Sequence, residues 1–241
     1  MVRVILILFF FSFFITSAQT GLVNINRNDS RINDAYTDIA NRIASSDLKS
    51  EVTNFKGNPY FESTFRKAKV FYFDKALKDE IYLRYNAAND ELEMSFNALS
   101  KEAEQALIKN KNIYCTIGKS VFRYLPLSTK NTNSFKFGYV REIYKGKNYS
   151  LYRSERKIFR EAKKARTSME RSFAARFIDE FKLYFQKNEG PLEFIKPKKK
   201  SLKQFFKSDL NHFETYLKNN QGDLNEVDYL RGLVEYMDEL N

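Results

Sequence analysis

From Lys69 onward, hydrophobic and polar residues alternate with a period of two, the spacing that sends successive side chains to opposite faces of a strand. Val70-Phe71-Tyr72-Phe73 predicts a short strand. Ile81, Leu83 and Tyr85 alternate with Glu80, Tyr82 and Arg84, and Leu92, Met94 and Phe96 alternate with Glu91, Glu93 and Ser95. The turn-prone run Asn86-Ala87-Ala88-Asn89-Asp90 separates them, so the pattern predicts a β-hairpin with one wet and one dry face. Residues 98–111 fit a short helix or a loop. Ile113, Cys115 and Ile117 then alternate, Gly118-Lys119 turns the chain, and Val121 to Leu125 returns. Phe135, Phe137, Tyr139 and Ile143 mark a longer strand, Lys145-Gly146-Lys147-Asn148 the next turn, and Tyr149 to Arg156 its partner.

Residues 157–188 support two readings. Their charge and lack of Pro and Gly suit a helix, whereas Phe181 to Gln186, Asn188-Glu189-Gly190 and Leu192 to Ile195 read as a hairpin. We take the hairpin, with a basic loop or helical turn over 161–174. Beyond it the period becomes helical. Ser201 is placed to cap a helix through Phe206, and Ser208 one that turns Phe213, Tyr216 and Leu217 inward and stops at Gly222. Asn225 is placed to cap a last helix with Val227, Leu230, Val234 and Met237 on one stripe and Leu233 beside it. The fold class expected is α+β: an antiparallel meander or half-open barrel of about seven to nine strands with C-terminal helices packed at its end.

The N-terminus reads differently. Arg3 is followed by the apolar run Val4 to Ile15 and the small residues Thr16-Ser17-Ala18, the three parts of a secretory signal. The run is shorter than the roughly 20 residues a spanning helix needs, and no basic flank follows it. Cleavage is expected between Ala18 and Gln19. Residues 20–58 are polar, and Ile32, Tyr36, Ile39 and Ile43 allow one short amphipathic helix before Gly57-Asn58-Pro59 breaks the chain. The expected layout is a signal peptide at 1–18, a polar segment at 19–58, a sheet domain at 59–196 and a helical segment packed on it at 197–241.

Several pieces carry a likeness: the Ser17-Ala18-Gln19 exit, Gly57-Asn58-Pro59-Tyr60-Phe61, Leu83 to Asn86 with Asn89 to Glu93, Lys198 to Phe206, and Tyr229-Leu230 with Leu233-Val234-Glu235-Tyr236. In these the chain resembles a group of exported proteins of unknown function from Bacteroidetes-type bacteria. The resemblance implies an outward-bound protein with a sheet core and C-terminal helices. It implies no activity and carries no catalytic residue over.

Composition narrows the chemistry. A 43% hydrophobic chain with 23 Phe and 15 Tyr has the material for a packed core. Its one cysteine, Cys115, excludes an internal disulfide, and its position disfavours a lipid-anchored lipoprotein. One histidine and one cysteine exclude the usual zinc site, and no cofactor is indicated. Charge is unevenly spread: residues 141–207 hold 20 basic and 8 acidic side chains, an excess of +12, whereas 208–241 hold 2 and 8, a balance of −6. Such asymmetry suits an anionic partner or a solvated surface. For an exported protein the anion is an envelope lipid or glycan, not nucleic acid.

Candidate catalytic groups are few. His212 has no nucleophile beside it, and Cys115 reads as a small buried hydrophobe, so a Ser-His-Asp or Cys-His enzyme is not expected. Glu91 and Glu93 share a strand face about 7 Å apart, between the two glycosidase spacings. Arg84 and Lys69 make cross-strand pairing their ordinary role, and the absence of Trp removes a common sugar-stacking platform. Gly118-Lys119-Ser120 matches only the end of a phosphate loop and reads as a turn. The densest basic run, Lys196, Lys198, Lys199, Lys200 and Lys203, is either a polyanion patch or a solvated linker extended by Pro197, and the linker is the simpler reading. A membrane barrel is disfavoured by mostly short strands and a helical end. The reading is an exported envelope or secreted protein that binds or scaffolds, with no catalytic or metal residue assigned; the alternative is a carboxylate-dependent hydrolase of envelope glycan or lipid.

Mass spectrometry of the protein purified from its natural host tests the export reading. The account expects a chain beginning at Gln19, and an intact Met1 contradicts it.

Overall fold

Alternation along the chain builds one antiparallel sheet in the computed structural model, which describes residues 55–77, 81–129, 132–167 and 169–240. The signal sequence, its Ala18/Gln19 junction and the helix proposed over Ile32 to Ile43 lie outside the described residues. The strands are β1 (Arg66–Tyr72), β2 (Lys75–Ala76), β3 (Ile81–Asn86), β4 (Glu91–Ser95), β5 (Gln105–Ala106), β6 (Ile113–Ile117), β7 (Ser120–Thr129), β8 (Thr132–Lys145), β9 (Tyr149–Arg160), β10 (Arg176–Lys187) and β11 (Glu193–Phe194). Their order is β11-β10-β9-β8-β7-β6-β1-β3-β4-β5, with β2 beside β1. The sheet curls into a half-barrel. Among the described residues it has eleven strands where seven to nine were expected. The surplus comes from the two-residue strands β2 and β5, which are too short to show a period. β2 returns from β1 through Phe73 and Asp74, both with positive φ.

The sheet closes on itself at one end. Leu192 lies parallel to Leu127, the Ser128 N–H donates to the Leu192 carbonyl at 2.9 Å, and the Phe194 N–H donates to Ser128 Oγ at 3.1 Å. Leu127, Val140, Tyr152, Tyr184 and Leu192 form a core among these strands.

At the centre the sheet parts. β8 pairs with β9 only from Arg141–Arg153 to Lys145–Ser150, with a bulge at Ile143. Beyond Arg141 the two strands diverge, and the β3–β4 turn enters between them. The Lys157 N–H of β9 donates to the Ala87 carbonyl at 3.1 Å, and the Tyr139 N–H of β8 donates to Asp90 Oδ1 at 3.2 Å. Arg156 reaches Asp90 Oδ2 at 2.9 Å and also donates to the Ala88 carbonyl, while the Tyr85 hydroxyl donates to Asp90 Oδ1 at 2.7 Å. Asp90 holds a left-handed φ of 59°, a conformation its short polar side chain tolerates. The turn therefore supplies partners that a missing strand would otherwise leave unpaired. It also joins the second core, in which Leu83, Tyr85, Ala87, Leu92, Cys115, Phe122 and Tyr139 meet.

The hairpin face expected to be wet is largely closed, with Tyr82 and Glu91 half-buried, while Phe96, expected on the dry face, is 55% exposed. Arg84, Asn86, Glu93 and Ser95 are all buried. The Arg84 Nε–H donates to Glu93 Oε2 at 2.6 Å, Asn86 Nδ2 and the Tyr60 hydroxyl donate to the same carboxylate, and Arg84 also reaches the carbonyls of Ser63 and Lys101. Chain segments on either side of the hairpin in sequence fold over it, and a fully partnered ion pair makes the burial tolerable.

The hairpin taken over Phe181 to Ile195 is the β10–β11 pair, but β10 starts earlier, at Arg176, and pairs along twelve residues with β9, which runs past Arg156 to Arg160. Residues 161–175 connect them, with one bridge between Lys163 and Phe173. Three helices follow: α1 (Lys199–Phe205), α2 (Leu210–Asn219) and α3 (Val227–Glu239). None of the expected caps bonds a helix end. Ser201 lies inside α1, Ser208 lies in a 3-10 turn (Lys207–Asp209), and Asn225 precedes Glu226, the residue before α3. Gly222 lies past the end of α2, where any Cβ would collide with the Tyr229 ring. The inward stripes follow the reading except at Val227, which lies outside the core: Leu202, Phe206, Phe213, Leu230, Leu233, Val234 and Met237 pack on Tyr149, Leu151, Leu183 and Phe185 of β9 and β10, with Tyr216 and Leu217 partly buried against them.

Acidic side chains dock the helices. The Asp238 carboxylate of α3 accepts from the backbone N–H groups of Asn148 (2.5 Å), Tyr149 (2.8 Å) and Lys147 (3.2 Å) and from the Tyr144 hydroxyl. A Cβ on Gly146 would collide with that carboxylate, so the β8–β9 turn needs glycine there. Burial works against charge on Asp238, but the amides of Tyr149, Asn148 and Lys147 outweigh it and hold the carboxyl below its usual 3.8. Asp209 is lowered likewise, by Ser208 and by the Tyr149 hydroxyl at 2.5 Å.

Asp238→Ala should cost about 2–3 kcal/mol in urea unfolding, since it orphans turn amides. Both carboxyls titrate lower in the folded chain than in the unfolded one. Their stabilisation is therefore complete above 3.8 and is lost as pH falls through the lower folded value. Wild type should lose more stability over that acid range than Asp238→Ala. Parallel pH profiles for the two proteins would contradict the assignment.

Candidate functional site

The lysine run that read most simply as a linker is largely helical. Pro197 precedes α1, whose apolar side buries Leu202, with Phe206 buried just beyond its end. The other side carries Lys199, Lys200, Lys203 and Gln204 to the surface, because residues three and four apart share a helix face. Lys207 continues the stripe beyond the helix, and Lys196 begins it.

This stripe separates two adjoining open grooves. One, of about 730 Å³, runs between α1 and the β10–β11 end and is lined by Lys187, Glu193, Phe194, Ile195, Lys196, Lys200, Gln204, Phe205 and Lys207 among others. The second, of about 580 Å³, lies on the far side and is lined by Lys199, Lys200, Lys203, Gln204, Lys207 and Leu210. Lys200, Gln204 and Lys207 are common to both and form the ridge between them. Of the run singled out from sequence, Lys196, Lys199, Lys200 and Lys203 line these grooves, whereas Lys198 lies outside them as the residue that caps α1. Sequence reasoning missed Lys187, which arrives from β10, and Lys207. The alternation of β10 gave its strand, and only the docking of α1 brings it alongside.

Two of these lysines are already paired. Lys187 contacts Asp209 at 3.3 Å, and Lys203 pairs with Glu214. The Tyr149 hydroxyl and Asp209 raise the pKa of Lys187 despite its partial burial, and Lys203 lowers that of Glu214. Among the described residues no carboxylate lies within ion-pair distance of Lys196, Lys199, Lys200 or Lys207, so four positive charges face solvent across one ridge. Their flexible ammonium groups suit a spread of phosphate or carboxylate charge better than one rigid anion.

The other candidates take structural places. Glu93 is buried and its carboxylate is held by Arg84, Asn86 and Tyr60, while Glu91 is half-buried with Lys109 at 3.3 Å. Lys69 sits opposite Thr116, away from both. Cys115 is fully buried and burial pushes its thiol up, and His212 is exposed on α2. Gly118, with φ 59°, is the β6–β7 turn. Four strands, β7 to β10, reach 10–14 residues, longer than expected. Helices cover part of one face of β9 and β10. Among the described residues no helix is long and apolar enough to cross a membrane.

Comparison with protein-family models, curated proteins and solved structures finds no match to this chain.

Proposed function

We propose that this is an exported envelope or secreted protein that binds or scaffolds through the lysine ridge of α1, and that its ligand is an anionic lipid or glycan of the envelope. The observation that carries the reading is the concentration of Lys196, Lys199, Lys200 and Lys207 on two adjoining grooves with no carboxylate in ion-pair range among the described residues. Phe194, Ile195, Phe205 and Leu210 line the same grooves and offer apolar surface beside the charge, which an acyl chain or a sugar ring can use. The signal-like N-terminus supplies the compartment. Of the carboxylates that a hydrolase would need, Glu93 is engaged in holding the β3–β4 hairpin and Glu91 is paired with Lys109.

Binding to vesicles containing phosphatidylglycerol, compared with phosphatidylcholine alone, tests the lipid source, and binding to alginate tests the glycan source. One of the two should bind, and the binding should weaken steeply from low to high salt. Lys200→Ala/Lys207→Ala removes two exposed charges worth about 1 kcal/mol each at an anionic surface, or roughly 30-fold in affinity. Equal binding at both salt concentrations, or no binding to either material at any, overturns the reading.

A further inference from the structure

Where β8 and β9 separate, the sheet carries a second cavity, of about 730 Å³, that has different chemistry from the lysine ridge. Its cationic side is built on the last β8–β9 pair, Arg141 and Arg153, which are opposite each other in register. Both guanidinium groups go to one carboxylate oxygen. Arg141 Nε is 2.8 Å and Arg153 Nε 2.7 Å from Glu155 Oε1, and Arg153 Nη2 reaches the same atom. Glu155 is nearly buried, and the two arginine side chains keep 27% and 22% of their exposure. One negative charge thus serves two positive ones, which leaves an uncompensated cation facing the cavity. Lys119, on the β6–β7 turn, adds a second, with no carboxylate in ion-pair range among the described residues. Arg66 and Arg84 also line the cavity, but each has its own partner, Glu62 at 2.7 Å and Glu93 at 2.6 Å. The lining therefore carries a net excess of about two positive charges.

Beside the arginines the lining is aromatic. Phe61, from the segment folded over the β3–β4 hairpin, meets Phe181 of β10 with ring centroids 5.3 Å apart. Both are large hydrophobic side chains left open, at 36% and 51% exposure. Lys157 Nζ lies 4.2 Å from the Phe61 centroid and Arg153 Cζ 5.1 Å from that of Phe181, so each ring already faces a cation. The volume falls within the range of small-molecule sites, which combine apolar walls with a few convergent polar groups.

We propose that this cavity binds a small amphipathic anion: a single carboxylate, sulfonate or phosphate group on an alkyl or aromatic body. The anionic group lies against Arg141, Arg153 and Lys119, where planar guanidinium forks suit an oxyanion. The body lies along Phe61 and Phe181. The site is separate from the lysine ridge, shares no residue with it and does not rest on the polyanion reading.

The test uses 8-anilinonaphthalene-1-sulfonate as a fluorescent probe and competition by decanoate or by decyltrimethylammonium. Decanoate should displace the probe at least tenfold more effectively than the cation of equal chain length. Lys119→Glu and Phe181→Ser change exposed positions that the cores do not use. Each should weaken decanoate at least tenfold while the melting temperature stays within a few degrees, whereas Lys200→Ala/Lys207→Ala should leave decanoate binding unchanged. Equal competition by the two amphiphiles, or decanoate binding unaltered by both cavity variants, overturns the proposal. So does a loss of decanoate binding in the ridge variant alone.

Discussion

The fold depends on how a curled sheet tolerates an interruption at its centre. β8 and β9 leave one another after Arg141, and two strand edges would then face a gap with their N–H and C=O groups unpaired. The β3–β4 turn answers both edges. Its Ala87 carbonyl takes the N–H of Lys157, and its Asp90 carboxylate takes that of Tyr139 while it holds Arg156 and Tyr85. The charge on Asp90 strengthens bonds that a neutral turn would make weakly. Gly138, beside Tyr139, leaves little room for more: a Cβ there would stand 3.1 Å from Asp90 Oδ2. The same insertion brings Tyr85 of β3 against Tyr139 of β8, with ring centroids 6.2 Å apart, and the arginine-lined cavity lies alongside.

The charge asymmetry along the chain has a first explanation within the molecule. The acidic C-terminal block meets the basic segment it follows: Asp209 pairs with Lys187, Glu214 with Lys203, and Asp238 with the amides of the Lys145–Asn148 turn. Surface pairs of this kind contribute little each, but Asp238 and Asp209 act from partly buried positions against backbone and hydroxyl donors. What remains after this internal neutralisation is the informative part. It includes the four lysines on the α1 ridge and the arginines that share Glu155, the charges on which the two proposed anion sites rest.

Much of the architecture was legible in the sequence because period and turn chemistry are local. The β3–β4 hairpin, the Gly118 turn, the β8–β9 turn and the apolar stripe of α3 all follow from residues within a few positions of one another. The length of β9 and β10 was not legible. Lys157 and Asp179 pair across those strands, so read in line they looked like part of a charged helix or loop. The buried polar face of the hairpin was hidden for a related reason. Tyr60, Ser63 and Lys101, which cover Arg84 and Glu93, lie up to 33 residues away from their partners in sequence. The helix starts were misplaced because none of these helices uses a side-chain cap at its N-terminus. Of the candidate site, the lysines were visible as a run. Their arrangement as a ridge between two grooves needed α1 docked beside Lys187.

Native-state hydrogen exchange on Asp90→Ala tests the central claim that this carboxylate and its turn seal the parted strands. The account predicts that the amides of Tyr139 and Lys157 are protected in wild type and lose that protection in the variant, while those of Lys182 and Tyr184, which face β9 within the β9–β10 pairing, keep it. Unchanged protection at Tyr139 and Lys157 would show that the sheet is held closed by something other than the inserted turn.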